Sequence, residues 1–135
     1  MKMTVTGVRE TQAHLTRASV QLPIGLRSEA DHSAQYLKDR VPPYPPPVPF
    51  SRYSRTGTLG RSYYTEVRSV GKGYVGVLGN RAEHAPWVIS SEMVGGLGPQ
   101  AAVHAGRWYT LQEHLDSHHR VILGFFESTV RAAVA

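Results

Sequence analysis

Tyr63–Asn80, YYTEVRSVGKGYVGVLGN, is the stretch whose reading decides the fold. Two runs rich in tyrosine, threonine and valine flank Gly71-Lys72-Gly73, which predicts an antiparallel hairpin with a short glycine turn. In the first run Tyr63, Thr65, Val67 and Ser69 alternate with Tyr64, Glu66, Arg68 and Val70. The strand therefore has two unlike faces, and Tyr63 and Tyr64 fall on opposite sides. In the second run Gly76 calls for either a bulge or a close approach by another backbone. A hairpin alone is marginal in water, so other elements must cover it.

Downstream, Arg81–His84 makes a polar turn, and APWVIS, Ala85–Ser90, predicts a third short strand carrying Trp87, Val88 and Ile89. Ser91–Gly106 is glycine-rich and predicts a long loop, yet it carries Met93, Val94, Leu97 and Val103. Apolar residues in such a loop suggest either folding back over its own core or a surface that another chain covers. The chain then closes with a helix. Thr110-Leu111-Gln112-Glu113 reads as a capping box, and Leu111, Leu115, His118, Ile122, Phe125, Phe126 and Val130 follow at spacings of three and four. That helix is expected to pack on the sheet.

Upstream, Val41–Pro49 holds six of the nine prolines and lacks the donors that a helix or a central strand needs. Residues 41–50 therefore read as a stiff, extended connector, with docking into an aromatic-lined groove as the functional alternative. Before it, Leu15, Ala18, Leu22 and Leu26 form an apolar helical stripe, which Pro23 and Gly25 interrupt. Ser28 looks like a fresh N-cap, so a bent helix or two consecutive helices are expected from Val8 to about Asp39. Met3–Thr6 reads as a short N-terminal strand. The predicted class is α+β, one domain over residues 1–135: short strand, bent helix, antiparallel sheet with a central hairpin, long loop and closing helix.

Charge and composition narrow the function. The chain has no cysteine, which removes disulfides, zinc–thiolate sites and thiol nucleophiles. No leader pattern or membrane span is read in it, so a soluble, unsecreted protein is expected. The whole net charge of +5 lies between Phe50 and Arg81, in Arg52, Arg55, Arg61, Arg68, Lys72 and Arg81 against Glu66. Such a basic surface suits nucleic acid or an acidic protein neighbour, or simply a solvated face. The interleaved tyrosines make a nucleic-acid-binding module over residues 52–68 the alternative function.

Catalytic patterns do not assemble. Neither Ser62 nor Ser90 sits in a nucleophile elbow, SVGKGYVG feeds a strand and not a helix, and the acidic residues are scattered. His114 and His118 stand one helical turn apart and could face one metal, but no HExxH glutamate or third ligand accompanies them. No catalytic residue, metal or cofactor is assigned, and a non-enzyme is expected; the pair otherwise reads as a partly exposed helix edge with His118 near the core.

One stretch remains, RTGTLGRS, Arg55–Ser62. It reads as a corner: Thr56 caps a single helical turn, Gly57 relaxes the backbone, Leu59 tucks under the sheet and Ser62 hands over to the strand. A proline-rich entry ending at Pro49, then Thr56, Gly57, Leu59 and Ser62, a hairpin, Asn80, and Ala85-Pro86-Trp87 together resemble the tail-completion (neck, or minor tail) proteins of long-tailed bacteriophages. The early TVTGV and its following helix are also similar to the family's start. The chain departs at His84, where the family carries tyrosine, and at SSEMVGG, Ser90–Gly96, in place of E-x-G-T.

The resemblance implies a structural virion protein, assembled in the host cytoplasm, that forms a ring, sixfold in the family, at the head–tail junction or head-proximal end of the tail. Its implied partners are copies of itself and neighbouring neck and tail proteins, with passing DNA a further contact for the basic middle and no membrane. Met93, Val94, Leu97, Pro99 and Trp108 are the expected subunit contacts.

Overall fold

The computed structural model describes residues 7–47, 49–51, 55–91, 100–101 and 104–135. The element order is α1 (Val8–Asp39), α2 (Thr58–Arg61), β1 (Tyr63–Val70), β2 (Gly73–Asn80), α3 (Ala85–Ile89) and α4 (Leu111–Val134). This is an α+β architecture in which helices pack on an antiparallel hairpin. The strand expected at Met3–Thr6 lies outside the described residues.

β1 and β2 pair in unbroken register from Tyr63 opposite Asn80 to Val70 opposite Gly73. Gly76 is therefore not a bulge. It is the close approach: a Cβ there would stand 2.1 Å from the Ala30 carbonyl oxygen of α1 and 3.4 Å from the Ala34 Cβ. The helix presents its smallest side chains at this crossing, Ala30, Ser33 and Ala34, all buried. Gln35 adds a hydrogen bond from its Nε2 to the Thr65 hydroxyl of β1, 2.6 Å.

α1 runs 32 residues without a break, straight through Pro23, and no second helix begins at Ser28. An interior proline costs roughly 3 kcal/mol of helix stability. Packing of α4 along the flanking turns offsets that cost. The two helices run antiparallel: Gly25 and Glu29 meet Thr129, His32 stacks on Phe125, Tyr36 meets Phe125 and His118, and Leu37 meets His114. Gly25 serves as a contact point and not as a breaker, since its missing Cβ would lie 2.6 Å from the Thr129 methyl. α4 begins with the expected capping box, in which Glu113 N–H donates to the Thr110 hydroxyl and Thr110 N–H donates to the Glu113 carboxylate.

The predicted third strand is instead the short helix α3. Pro86 lies in its first turn, where a missing N–H costs nothing and φ is already helical. Ala85, Val88 and Ile89 then share one face at helical spacing and join Leu59 and Ala82 in the core, with Tyr44, Tyr63, Trp108 and Leu111 packed around them. A run this short carries too few turns for periodicity to separate helix from strand. Among the described residues the sheet therefore has two strands.

Gly76→Ala is expected to lower stability by at least about 1–3 kcal/mol, because the clash is with backbone and not with a flexible side chain. Gly124→Ala, on open surface of α4, is expected to raise it by about 0.5–1 kcal/mol. Thermal denaturation of the two variants against the parent chain checks the opposite signs.

Candidate functional site

The residues singled out by the resemblance converge on one corner of the molecule. Gly57 adopts φ 72°, the left-handed region, and starts α2. Thr56 stands one place earlier than a cap would; its hydroxyl pairs with that of Thr58 at 2.8 Å. Leu59 is 4% exposed at the centre of the core. Ser62 closes the turn by donating its hydroxyl to the Thr58 carbonyl, 2.7 Å, and its own carbonyl accepts from Arg81 N–H, 3.0 Å.

Asn80, the last residue of β2, ties this corner together. Its Nδ2 donates to the Leu59 carbonyl at 2.7 Å, and its Oδ1 accepts from Ala82 N–H at 2.9 Å. One amide side chain thus links the α2 turn to the start of the segment that carries α3. Ala85 is buried beneath it and Pro86 half-buried, while Trp87 is exposed.

A cavity of about 360 Å³ opens beside the corner, walled by Tyr44, Trp87, Trp108, His84 and His104 with Arg55 at its edge. Tyr44 is the residue that sequence reasoning missed. Its ring lies 5.1 Å from Trp108 and its hydroxyl accepts from Gly60 N–H. An aromatic inside a proline run, PPYPPP, was the available signal, because a fixed extended backbone presents such a ring at low entropic cost. Gln100 was also missed: its side-chain amide donates to the carbonyls of Val88 and Trp108.

The proline segment is held against the rest of the chain rather than free. Arg55 donates to the Pro45 carbonyl, and Arg107 donates to that of Pro46 at 2.9 Å. Much of the basic middle is likewise engaged within the chain. Arg61 donates to the Thr56 carbonyl, Arg68 pairs with Glu66, and the Arg81 guanidinium lies 4.6 Å from the Tyr64 ring centre. Lys72 sits in the hairpin turn, and Arg52 lies outside the described residues. Tyr63 and Tyr64 do point to opposite faces: burial, and then Tyr44, push the Tyr63 phenol up to about 12, so it remains a donor at neutral pH.

Among the expected subunit contacts, Met93, Val94, Leu97 and Pro99 lie outside the described residues. Trp108 is half-buried and packs against the chain's own core, on Tyr44 and edged by His104 at 6.1 Å. The exit of the long loop is pinned back on the same chain, with Gln100 N–H donating to the Ser90 carbonyl and Ala101 N–H to that of Trp87.

His118 is half-buried, its ring 5.6 Å from that of Tyr36. His114 is buried outright, 2% exposed, and its Nε2 lies 2.8 Å from the Leu37 carbonyl. A carbonyl only accepts, so Nε2 carries the proton and its lone pair is not offered to a metal. His118 uses Nδ1 on the His114 carbonyl, 3.0 Å. Among the described residues no three histidine or carboxylate side chains gather as metal ligands.

Large apolar side chains also stand exposed in the N-terminal half of α1: Val8 51%, Leu15 65%, Val20 and Ile24. Every residue from 7 to 17 is exposed. Among the described residues, no helix is long and apolar enough to cross a membrane. Comparison with known protein families, curated proteins and solved structures finds no match in any of the three.

Asn80→Ala is expected to cost about 1–3 kcal/mol by leaving the part-buried Ala82 N–H without its partner and the Leu59 carbonyl with only the Ser62 N–H, measured by urea denaturation. His104 supplies a pH test. Burial, and then Arg107, lower its pKa from 6.5, so the unfolded chain takes up the proton first. Its contribution is present above pH 6.5 and is lost as pH falls from there toward the folded value. Between about pH 8 and pH 5, the melting temperature of His104→Gln should therefore fall less than that of the parent chain.

Proposed function

We propose that this chain is a structural virion protein of a long-tailed bacteriophage, forming a ring, sixfold as in the family it resembles, at the head–tail junction or head-proximal end of the tail. It works by assembly and not by turnover, and it meets copies of itself and neighbouring neck and tail proteins. Assembly takes place in the host cytoplasm.

The observation that carries this reading is the start of α1, Val8 to Arg17, which is exposed throughout among the described residues. Helices shorter than about 12–15 residues are marginal in water unless an apolar face is packed. The stretch before Ala18 is shorter than that and exposed throughout, yet it keeps an apolar stripe in phase with the buried part of the same helix. Such a projection is stabilised when another chain covers it, and a head-to-tail contact between copies closes into a ring when its rotation permits. The gathering of Thr56, Gly57, Leu59, Ser62, Asn80 and Ala85 at one corner supports the reading further, since a shared motif that builds a scaffold turn suits a protein without a reaction centre.

Native mass spectrometry with negative-stain imaging tests it, on the chain alone and with the products of neighbouring neck and tail genes. The expected result is a closed ring, formed alone or only with those partners. A monomer in every mixture overturns the proposal.

A further inference from the structure

β1 presents an open backbone edge. Just beyond the Tyr63–Asn80 pair, Arg81 N–H donates to the Ser62 carbonyl at 3.0 Å. Bonded pairs alternate along an antiparallel ladder, so Tyr64, Glu66, Arg68 and Val70 turn their backbone groups toward β2, while Thr65, Val67 and Ser69 turn theirs outward. Among the described residues those outward groups have no hydrogen-bond partner, and β2 is the one strand beside β1.

No stretch outside the described residues adjoins this edge. The described chain is continuous from Arg55 to Ser91, and the nearest ends are tied elsewhere, Arg55 to the Pro45 carbonyl and Gln100 N–H to the Ser90 carbonyl. Ile24 shares a cleft with Val67, and the helix from Gly7 to Ile24 spans about 25 Å. Six residues reach at most roughly 20 Å, too short for Met1–Thr6 to run along β1.

An unguarded edge is a template for another strand. β1 has no proline, and its register holds without a bulge from Tyr63 to Val70. It does carry Glu66 and Arg68, neighbours of opposite sign on one face. Their order makes the strand complementary to itself. When two β1 strands run antiparallel about a two-fold axis at Val67, Glu66 of each copy stands opposite Arg68 of the other, Tyr64 opposite Val70, and the outward backbone groups of Thr65 and Ser69 meet. An axis one residue away sets Glu66 on Glu66 or Arg68 on Arg68. Unlike cross-strand charges stabilise and like ones destabilise, so charge selects the Val67 register. β2 has no charged residue from Gly73 to Asn80 and offers no such selection. Val70, 59% exposed, gains an aromatic neighbour in this register, and the cleft that Val67 lines with Ile24, 67% exposed, comes against its copy.

We propose that two copies of this chain pair through β1 about a two-fold axis at Val67, making a four-stranded antiparallel sheet with the two β1 strands at its centre. The contact is isologous, and a hairpin that is marginal as two strands becomes half of a larger sheet. It goes beyond the ring reading and does not rest on it: where rings form it joins chains of two rings, and where none form it gives a dimer.

Sedimentation equilibrium of the full-length chain should show self-association. Glu66→Arg or Arg68→Glu turns both unlike pairs into like ones and should weaken that association by about tenfold. Arg68 is 60% exposed, so its exchange leaves the fold in place, which thermal denaturation checks. An equal mixture of the two variants restores unlike charges across the axis and should form the mixed dimer. Disulfide trapping reads the register with the charges intact, and no native cysteine competes. Tyr64→Cys mixed with Val70→Cys should give a covalent dimer of unlike chains. Val70→Cys alone should not, because the two thiols would lie about 20 Å apart and a disulfide needs Cα atoms within roughly 4.4–6.8 Å. A parent chain that stays monomeric, single variants that associate as well as the parent, a mixture no better than its components, or failure of the mixed disulfide overturns the pairing. A ring that the parent and both charge variants assemble equally well overturns the pairing and leaves the ring reading standing. A dimer with this charge dependence that forms no ring with neck partners supports the pairing and removes the ring.

Discussion

The contact on which the structure depends is the passage of α1 over Gly76. Backbone meets backbone there with no room for a Cβ, and the helix contributes only Ala30, Ser33 and Ala34 to the crossing. Close approach of a helix to a two-stranded sheet turns a hairpin that is marginal alone into one side of a packed layer. It also fixes where α1 lies, and hence where α4 must run, since Gly25, His32 and Tyr36 face α4 from an adjoining side of the same helix. The buried imidazole of His114 then joins α4 to the last turn of α1 through the Leu37 carbonyl, which also accepts from the Arg40 N–H at the helix end.

A second nucleus forms around Leu59, and it is built mostly from connections. The proline segment, the α2 turn, α3 and the loop exit at Gln100 hold few backbone ladders, so side chains satisfy the carbonyls instead. Arg55 and Arg107 serve Pro45 and Pro46, Asn80 serves Leu59, and Gln100 serves Val88 and Trp108. Several of those guanidinium groups are structural donors whose partners lie far away in the chain or across a turn.

α1 therefore does two kinds of work along its length. Its C-terminal half is core, with Ala30, Ala34 and Leu37 buried. Its first turns keep the same helical phase, but every residue from Val8 to Arg17 is exposed among the described residues. The interior Pro23 lies between the two halves, near where α4 ends.

The sequence by itself determined the elements whose signals are local. The hairpin, the capping box at Thr110, the corner with left-handed Gly57 and buried Leu59, and the opposite placement of Tyr63 and Tyr64 follow from side-chain alternation, cap chemistry and glycine's conformational freedom. Gly76 was legible as one of two alternatives, and only the position of α1 decided for close approach over a bulge. Tertiary packing overrode local rules elsewhere. Pro23 stays helical because α4 supports the turns around it, and APWVI is a helix because Leu59 and Ala82 accept the face formed by Ala85, Val88 and Ile89. The burial of His114 against Leu37, the Arg55 contact with Pro45, and the packing of a proline-flanked tyrosine on Trp108 join residues 10 to 77 positions apart. Spacing along the chain carries no record of such distances; only the folded arrangement brings those donors and acceptors within reach of one another.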